Sequence, residues 1–149
     1  MEHDTIKAMK LKIVTPEKIV YENEVKQVTV PTTSGQITVM QNHIPLISVI
    51  QAGELIIQDN DNGQVMAIAG GFLEVKANNE MLILADNAER AEEINLERAE
   101  QARARAIEQM EKVQNEQDVD FAKLQAVIDR EMNRLRVGKK YKNLPQAKS

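Results

Sequence analysis

The 149-residue chain has no cysteine and no tryptophan. The first absence excludes disulfides, thiolate nucleophiles and cysteine zinc sites. Only two Phe and two Tyr accompany the second, too few for a platform on which single-stranded nucleic acid stacks. Positive charge is also scarce: 19 Lys and Arg against 23 Asp and Glu give a net charge of -4. That balance argues against binding to phosphate backbones, so no nucleic-acid partner is expected. No apolar run approaches the roughly 18 residues that span a bilayer. The opening Met1-Glu2-His3-Asp4 is polar and acidic, unlike a signal peptide. A soluble cytoplasmic product is expected, with membrane association only through a protein partner.

What is present is 42% hydrophobic residues, which must build a core from Ile, Val, Leu and Met. Their period changes near Asp86. Residues 1–8 read as a flexible tail. Leu11, Ile13 and Lys18-Ile19-Val20-Tyr21 then flank a break at Thr15-Pro16-Glu17. Val25 to Val30 alternates, Pro31 is expected to end it, and Thr32-Thr33-Ser34-Gly35 supplies a turn. Gln36–Met40, Leu46–Ile50, Glu54–Gln58, Gln64–Ala69, Phe72–Lys76 and Met81–Ala85 read as further strands. Asp59-Asn60-Asp61-Asn62-Gly63 reads as a hairpin turn with Asn-Gly at its centre. Many short strands at close spacing predict an antiparallel sandwich or barrel over 9–88.

From Ala88 the spacing becomes helical. Leu96, Ala99, Ala102, Ala106, Met110 and Val113 form one stripe, broadened by Ile107, with Asn95 as N-cap. Gln114-Asn115-Glu116-Gln117 breaks the pattern. Asp118 or Asp120 then caps a second helix carrying Phe121, Leu124, Ile128 and Leu135. Gly138 reads as its C′ residue, and residues 139–149 as a flexible tail with Pro145 barring further helix. The expected architecture is therefore a β-sandwich followed by an antiparallel two-helix hairpin at 89–138. Its narrow, Ala-rich stripes bury little area, so the hairpin needs a surface to lie against and admits more than one docked position.

Several separated motifs now point to a family. Gly35-Gln36-Ile37-Thr38-Val39-Met40-Gln41-Asn42-His43-Ile44-Pro45-Leu46-Ile47 resembles a signature of the epsilon subunit of F-type ATP synthases. Gly70-Gly71-Phe72-Leu73-Glu74-Val75 and Leu84-Ala85-Asp86 resemble two more of its motifs. Asp118-Val119-Asp120-Phe121 and Met132-Asn133-Arg134-Leu135-Arg136-Val137 resemble the ends of its second helix. The resemblance spans residues 9–137. It implies a β-sandwich with a helical hairpin and a non-catalytic rotor role on the cytoplasmic face of the cell membrane. It also implies partners: the gamma subunit, the c-ring and, when the hairpin extends, the catalytic alpha/beta head. The resemblance further implies that the extended form blocks ATP hydrolysis. Basic residues such as Arg103, Arg134, Arg136, Lys139 and Lys140 are placed to meet acidic residues of that head.

Candidate sites are few. His43 reads first as a structural histidine bonded to backbone beside Pro45; the resemblance places it near the gamma or c-ring contact. Ser34, Gly35 and Gln36 read as a solvated hairpin, and the resemblance makes them a c-ring contact. Gly70-Gly71 lacks the spacing and following helix of a phosphate loop and reads as a strand bend or bulge with close backbone approach. Arg98 and Arg105 share one helix face, and Arg130 and Arg134 share another. From the residues alone these are solvated charges balanced by Glu97, Glu100, Glu108, Asp129 and Glu131. The resemblance gives them a second meaning. Ile94-Asn95-Leu96-Glu97-Arg98-Ala99 is similar to an ATP-binding motif of some epsilon subunits. Arg105, Arg130 and Arg134 then stand as further phosphate ligands, and Glu89 as an acidic partner for adenine or ribose. Asn95 replaces the acidic residue of that motif, so weaker binding is expected. ATP would be a regulatory ligand, no cofactor is required, and no catalytic or metal-binding residue is assigned. A small carboxylate enzyme and an adaptor for an unrelated coiled coil are the rival readings.

Overall fold

The computed structural model describes residues 8–59, 62–112 and 121–142. Two compact units divide the chain, Met1–Arg90 and Ala91–Ser149. The first is a β-sandwich of eight strands. They are β1 (Met9–Val14), β2 (Ile19–Val25), β3 (Gln27–Thr32), β4 (Gly35–Met40), β5 (Leu46–Val49), β6 (Gly53–Asp59), β7 (Asn62–Val75) and β8 (Glu80–Arg90). The period-two alternation decides which side chains turn inward. Met9, Leu11 and Ile13 are buried while Lys10 and Lys12 point out; Val28 and Val30, Leu55 and Ile57, and Met81 and Ile83 follow the same rule. Together with Met66, Ile68, Leu73 and Val75 they form one continuous core.

The hydrogen-bonded order is β2-β1-β8-β7-β6-β3-β4, with β5 also paired to β7. Strand β7 serves both layers. Its first half pairs β6 as far as Ile68, and Phe72–Val75 pairs β5. The change of direction falls at Gly70 and Gly71, with φ of 66° and 106°. Side chains rarely tolerate such angles. A Cβ at Gly71 would strike the Leu84 carbonyl oxygen, and one at Gly70 the Asp86 carboxylate. The register against β8 is the same at Ala69–Asn87 as at Gly71–Ala85, so this is a bend without an inserted residue.

Four expectations need correction here. The strands expected at 64–69 and 72–76 are one strand, because pairing with β8 resumes at Gly71 in the same register. β8 continues past Ala85 to Arg90, since Asn87–Arg90 pair with Ala69–Met66 in the register held by Ala85 and Gly71. β3 runs through Pro31 to Thr32; its pairing with β6 extends only over 27–29, so the missing N–H falls where no β6 residue is paired. β6 and β7 pair as far as Asp59 opposite Asn62, so Asn62-Gly63 opens β7 and is not the turn centre. Residues 60 and 61 lie outside the described residues. One pair, β1 with β8, is parallel. Alternation tells which face a residue takes, not which neighbour its strand chooses.

The second unit holds a 3-10 turn at Ala91–Glu93, α1 (Leu96–Lys112) and α2 (Phe121–Lys142). Asn95 caps α1: its Oδ1 accepts from the Arg98 N–H at 3.0 Å. α1 buries Ala99 and Ala106, and α2 buries Ile128, Leu135 and Val137. Phe121, expected on the apolar stripe, is exposed. Gly138 does not stop α2. It lies within the helix, where an added Cβ would come within 2.6 Å of Leu96 Cδ2 and 3.1 Å of Ile94 Cγ2. The end of α2 therefore passes the start of α1, so the helices run antiparallel, and glycine permits their close approach. Lys139 and Lys140 of the expected tail are helical. The expected caps Asp118 and Asp120, the break at 114–117 and Val113 lie outside the described residues, as do residues 1–7 and 143–149.

Gly71→Ala should lower stability by about 2 kcal/mol or more, combining positive-φ strain with backbone overlap. Gly63→Ala, with open space around its Cβ position, should change it by about 0.5 kcal/mol or less. Urea denaturation of the two variants checks the contrast.

Candidate docking face and arginine cluster

The registers of five strands align one apolar row on the outer face of the sandwich. Ile19 lies opposite Val14, Val14 opposite Leu84, Leu84 opposite Phe72, and Phe72 opposite Val49. Facing residues of adjacent strands share a face. An irregularity between Ile13 and Val14 brings Ile19 into the row, while Val20 and Tyr21 pack on the core. Burial also pushes the Tyr21 phenol above its ordinary pKa, with the Asp59 carboxylate adding to the effect and Arg90 opposing it. Ile19, Leu84, Phe72 and Val49 are between 44% and 56% exposed. Ile47, one row along, is 73% exposed and helps line a hollow of about 170 Å³ with Phe72, Glu74 and Leu84. The row of Ile47 already carries charge in Glu74, Lys12 and Glu22, and Glu24, Lys10 and Glu80 form a further charged row. A contiguous apolar patch with a charged margin marks an interaction surface.

The remaining contact candidates belong to the same unit. Ser34, Gly35 and Gln36 are exposed at the β3–β4 hairpin. That tip is shaped by the Thr32 hydroxyl, which donates to the Gly35 carbonyl and accepts from the Ser34 N–H at 3.2 Å. Gly35 has a φ of 115°. His43 is half-buried, and its N–H donates to the Met40 carbonyl at 3.2 Å. Its Nδ1 lies 2.6 Å from the Ile44 carbonyl. A carbonyl only accepts, so Nδ1 carries the proton. Asn42 adopts a φ of 61°, and its N–H donates to Asn79 Oδ1 at 3.0 Å. The ring is thus held by local backbone, while Ile44 beside it is 75% exposed.

In the helical unit, Ile94 and Ala99 are fully buried and Asn95 acts as a cap. Arg98 and Arg105 are exposed on α1, and Arg105 Nε donates to the Gln101 carbonyl at 3.3 Å. Glu89 belongs to β8, in the sandwich unit. Arg130 and Arg134 are brought together by a residue that charge counting had placed among the solvated counter-charges. Glu131 is 2% exposed. Its Oε1 accepts from Arg130 Nε at 3.1 Å and Nη2 at 3.0 Å, and its Oε2 accepts from Arg134 Nη1 at 2.8 Å. The signal was its phase: Glu131 lies three residues after Ile128 and four before Leu135, on the buried stripe. Asn133 is also buried, and its Oδ1 accepts from Arg136 Nη2 at 2.7 Å. Among the described residues no cluster of three or more His, Cys, Asp or Glu side chains is placed to hold a metal ion. The arrangement offers guanidinium forks for oxyanions and apolar surface for a partner.

The model of the ATP synthase delta/epsilon chain β-sandwich domain matches residues 8–91, and that of its long α-helix domain matches residues 92–139. The chain belongs to the epsilon-subunit family of F-type ATP synthases. The epsilon chain of Herpetosiphon aurantiacus is 41% identical over 135 residues, covering 91% of this chain and 97% of that one. The epsilon chain of Latilactobacillus sakei is 38% identical over 135 residues, covering 88% and 92%. Among solved structures, a chain of the Tetrahymena thermophila mitochondrial ATP synthase central stalk and c-ring aligns with a TM-score of 0.56 at 20% identity. That alignment covers 90% of this chain and 96% of that one. A chain of the Euglena gracilis OSCP/F1/c-ring assembly aligns with a TM-score of 0.66 at 19% identity, covering 83% and 76%. These two likenesses concern the fold. No helix among the described residues of this epsilon-family chain is long and apolar enough to cross a membrane.

Replacing Asn95 by Ala should cost about 1 kcal/mol of helical-unit stability by orphaning the Arg98 N–H. Amide exchange should quicken at Arg98 and Ala99, and Asn95→Asp should restore protection.

Proposed function

We propose that this chain is a non-catalytic rotor subunit that docks on the gamma subunit through the apolar row Ile19-Val14-Leu84-Phe72-Val49 and its neighbour Ile47. That row is the observation that carries the reading. It is half-buried at Val14 and exposed at its other members, continuous over five strands and bordered by charge, as a protein-docking face should be. The hairpin tip Ser34-Gly35-Gln36 is the c-ring contact, with His43 holding the adjoining loop. The subunit sits on the cytoplasmic face of the membrane by virtue of these partners. The central-stalk and F1/c-ring assemblies that supply the structural neighbours support this reading.

The helical unit regulates hydrolysis. Its helices contribute few large buried side chains, so the energy separating docked from extended positions is small enough for partners to tip. In the extended position Arg103, Arg134, Arg136, Lys139 and Lys140 face acidic residues of the catalytic head. ATP acts as a regulatory ligand of the folded helical unit, held by Arg98, Arg105, Arg130 and Arg134.

Phe72→Asp should weaken binding to gamma by tenfold or more in calorimetry while leaving the circular dichroism unchanged; Met40→Asp, exposed on β4 and outside the row, should not. Equal affinities for the two variants would exclude the apolar row as the docking face. In reconstituted F1, removing residues 91–149 should raise ATP hydrolysis, and an unchanged rate would exclude regulation by the helices.

A further inference from the structure

Arg130 and Arg134 are already occupied by an anion, and that anion is part of the same helix. Glu131 receives the Nε and Nη2 edge of Arg130 on one oxygen and Nη1 of Arg134 on the other. The Nε–Nη2 edge is the fork by which arginine grips a carboxylate or phosphate with two parallel bonds. The carboxyl side chain is 2% exposed, whereas those of Arg130 and Arg134 are 35% and 22% exposed. Glu131 thus sits beneath two guanidiniums whose outer portions reach solvent.

From this geometry we infer that Glu131 is a built-in competitor for the phosphates of ATP, so that affinity and selectivity for polyphosphate in this chain are set by Glu131. The inference rests on the proposed regulatory ATP site. A phosphate that takes the Nε–Nη2 edge of Arg130 must displace Glu131 Oε1, which leaves a buried carboxylate that keeps Arg134 but loses Arg130 and stands beside further negative charge. Both consequences oppose binding. A phosphate that leaves the fork in place finds the pair half-neutralised. Glu131 also bridges the two arginines through its two oxygens, so its isosteric replacement by Gln retains shape and one accepting oxygen while removing the competing charge and the second acceptor. Removing the side chain altogether, as in Glu131→Ala, empties the fork.

The test is calorimetric titration of the full chain with Mg-ATP for wild type, Glu131→Gln, Glu131→Ala and the double variant Arg130→Ala/Glu131→Gln. Glu131→Gln should bind ATP at least tenfold more tightly than wild type, Glu131→Ala should gain as well, and the double variant should lose the gain. Tight wild-type binding that Glu131→Gln leaves unchanged would overturn the inference and keep the ATP site. No binding by any variant at millimolar ATP would overturn the ATP site itself and the inference with it. A wild-type measurement guards against variants that fail to fold. The Nε–H resonance of Arg130 should stay in place through a titration to the same ATP concentration at which Glu131→Gln saturates. A saturable shift of that resonance at micromolar ATP in the wild type would also overturn the inference.

Discussion

The sandwich depends on one backbone approach, that of Gly71 to the carbonyl of Leu84. No side chain fits there, since a Cβ on Gly71, whose φ is 106°, would strike the Leu84 carbonyl oxygen. Because the chain bends there without losing register, β7 pairs with β6 in its first half and β5 in its second. The two layers are consequently stitched by continuous strands, and Leu73 and Val75 reach the core while Phe72 is turned outward. The exposed row exists for the same reason: Phe72 and Leu84 face each other directly beyond the bend. Fold and docking surface follow from one constraint.

The helical unit is held differently. Alanines and a glycine bring α1 and α2 close, which gives packing contacts but little apolar area. Polar contacts within α2 supply specificity in place of bulk. Glu131 anchors Arg130 and Arg134, and Asn133 anchors Arg136. A unit with small apolar burial and paired charges thus remains a defined structure.

Much of this was legible in the sequence, and what was missed has physical causes. The strand signals at Leu11 and Ile13 and the cap at Asn95 follow from local rules that depend on a few neighbouring residues. The close approach at Gly70-Gly71 was also readable, because a glycine pair in a strand has few other uses. The continuity of β7 was not, since a bend and a break look alike without the pairing partner. The apolar row was hidden because its members come from five strands, and only the register reveals that Ile19, Val14, Leu84, Phe72 and Val49 are neighbours. Gly138 was misread as a helix stop because the residues it passes, Ile94 and Leu96, lie more than forty positions away. Glu131 was misread as solvated because polarity usually reports exposure; its place on the stripe of Ile128 and Leu135 outweighed that rule once two arginines could neutralise it.

The most direct test of the docking account is hydroxyl-radical footprinting of the chain alone and bound to gamma, which reads side-chain exposure residue by residue. Ile47, Phe72 and Leu84 should lose reactivity on binding, while Met40, exposed away from the row, should retain it. Unchanged reactivity at Ile47, Phe72 and Leu84 in a formed complex would contradict the account, because the partner would then be seated on another surface.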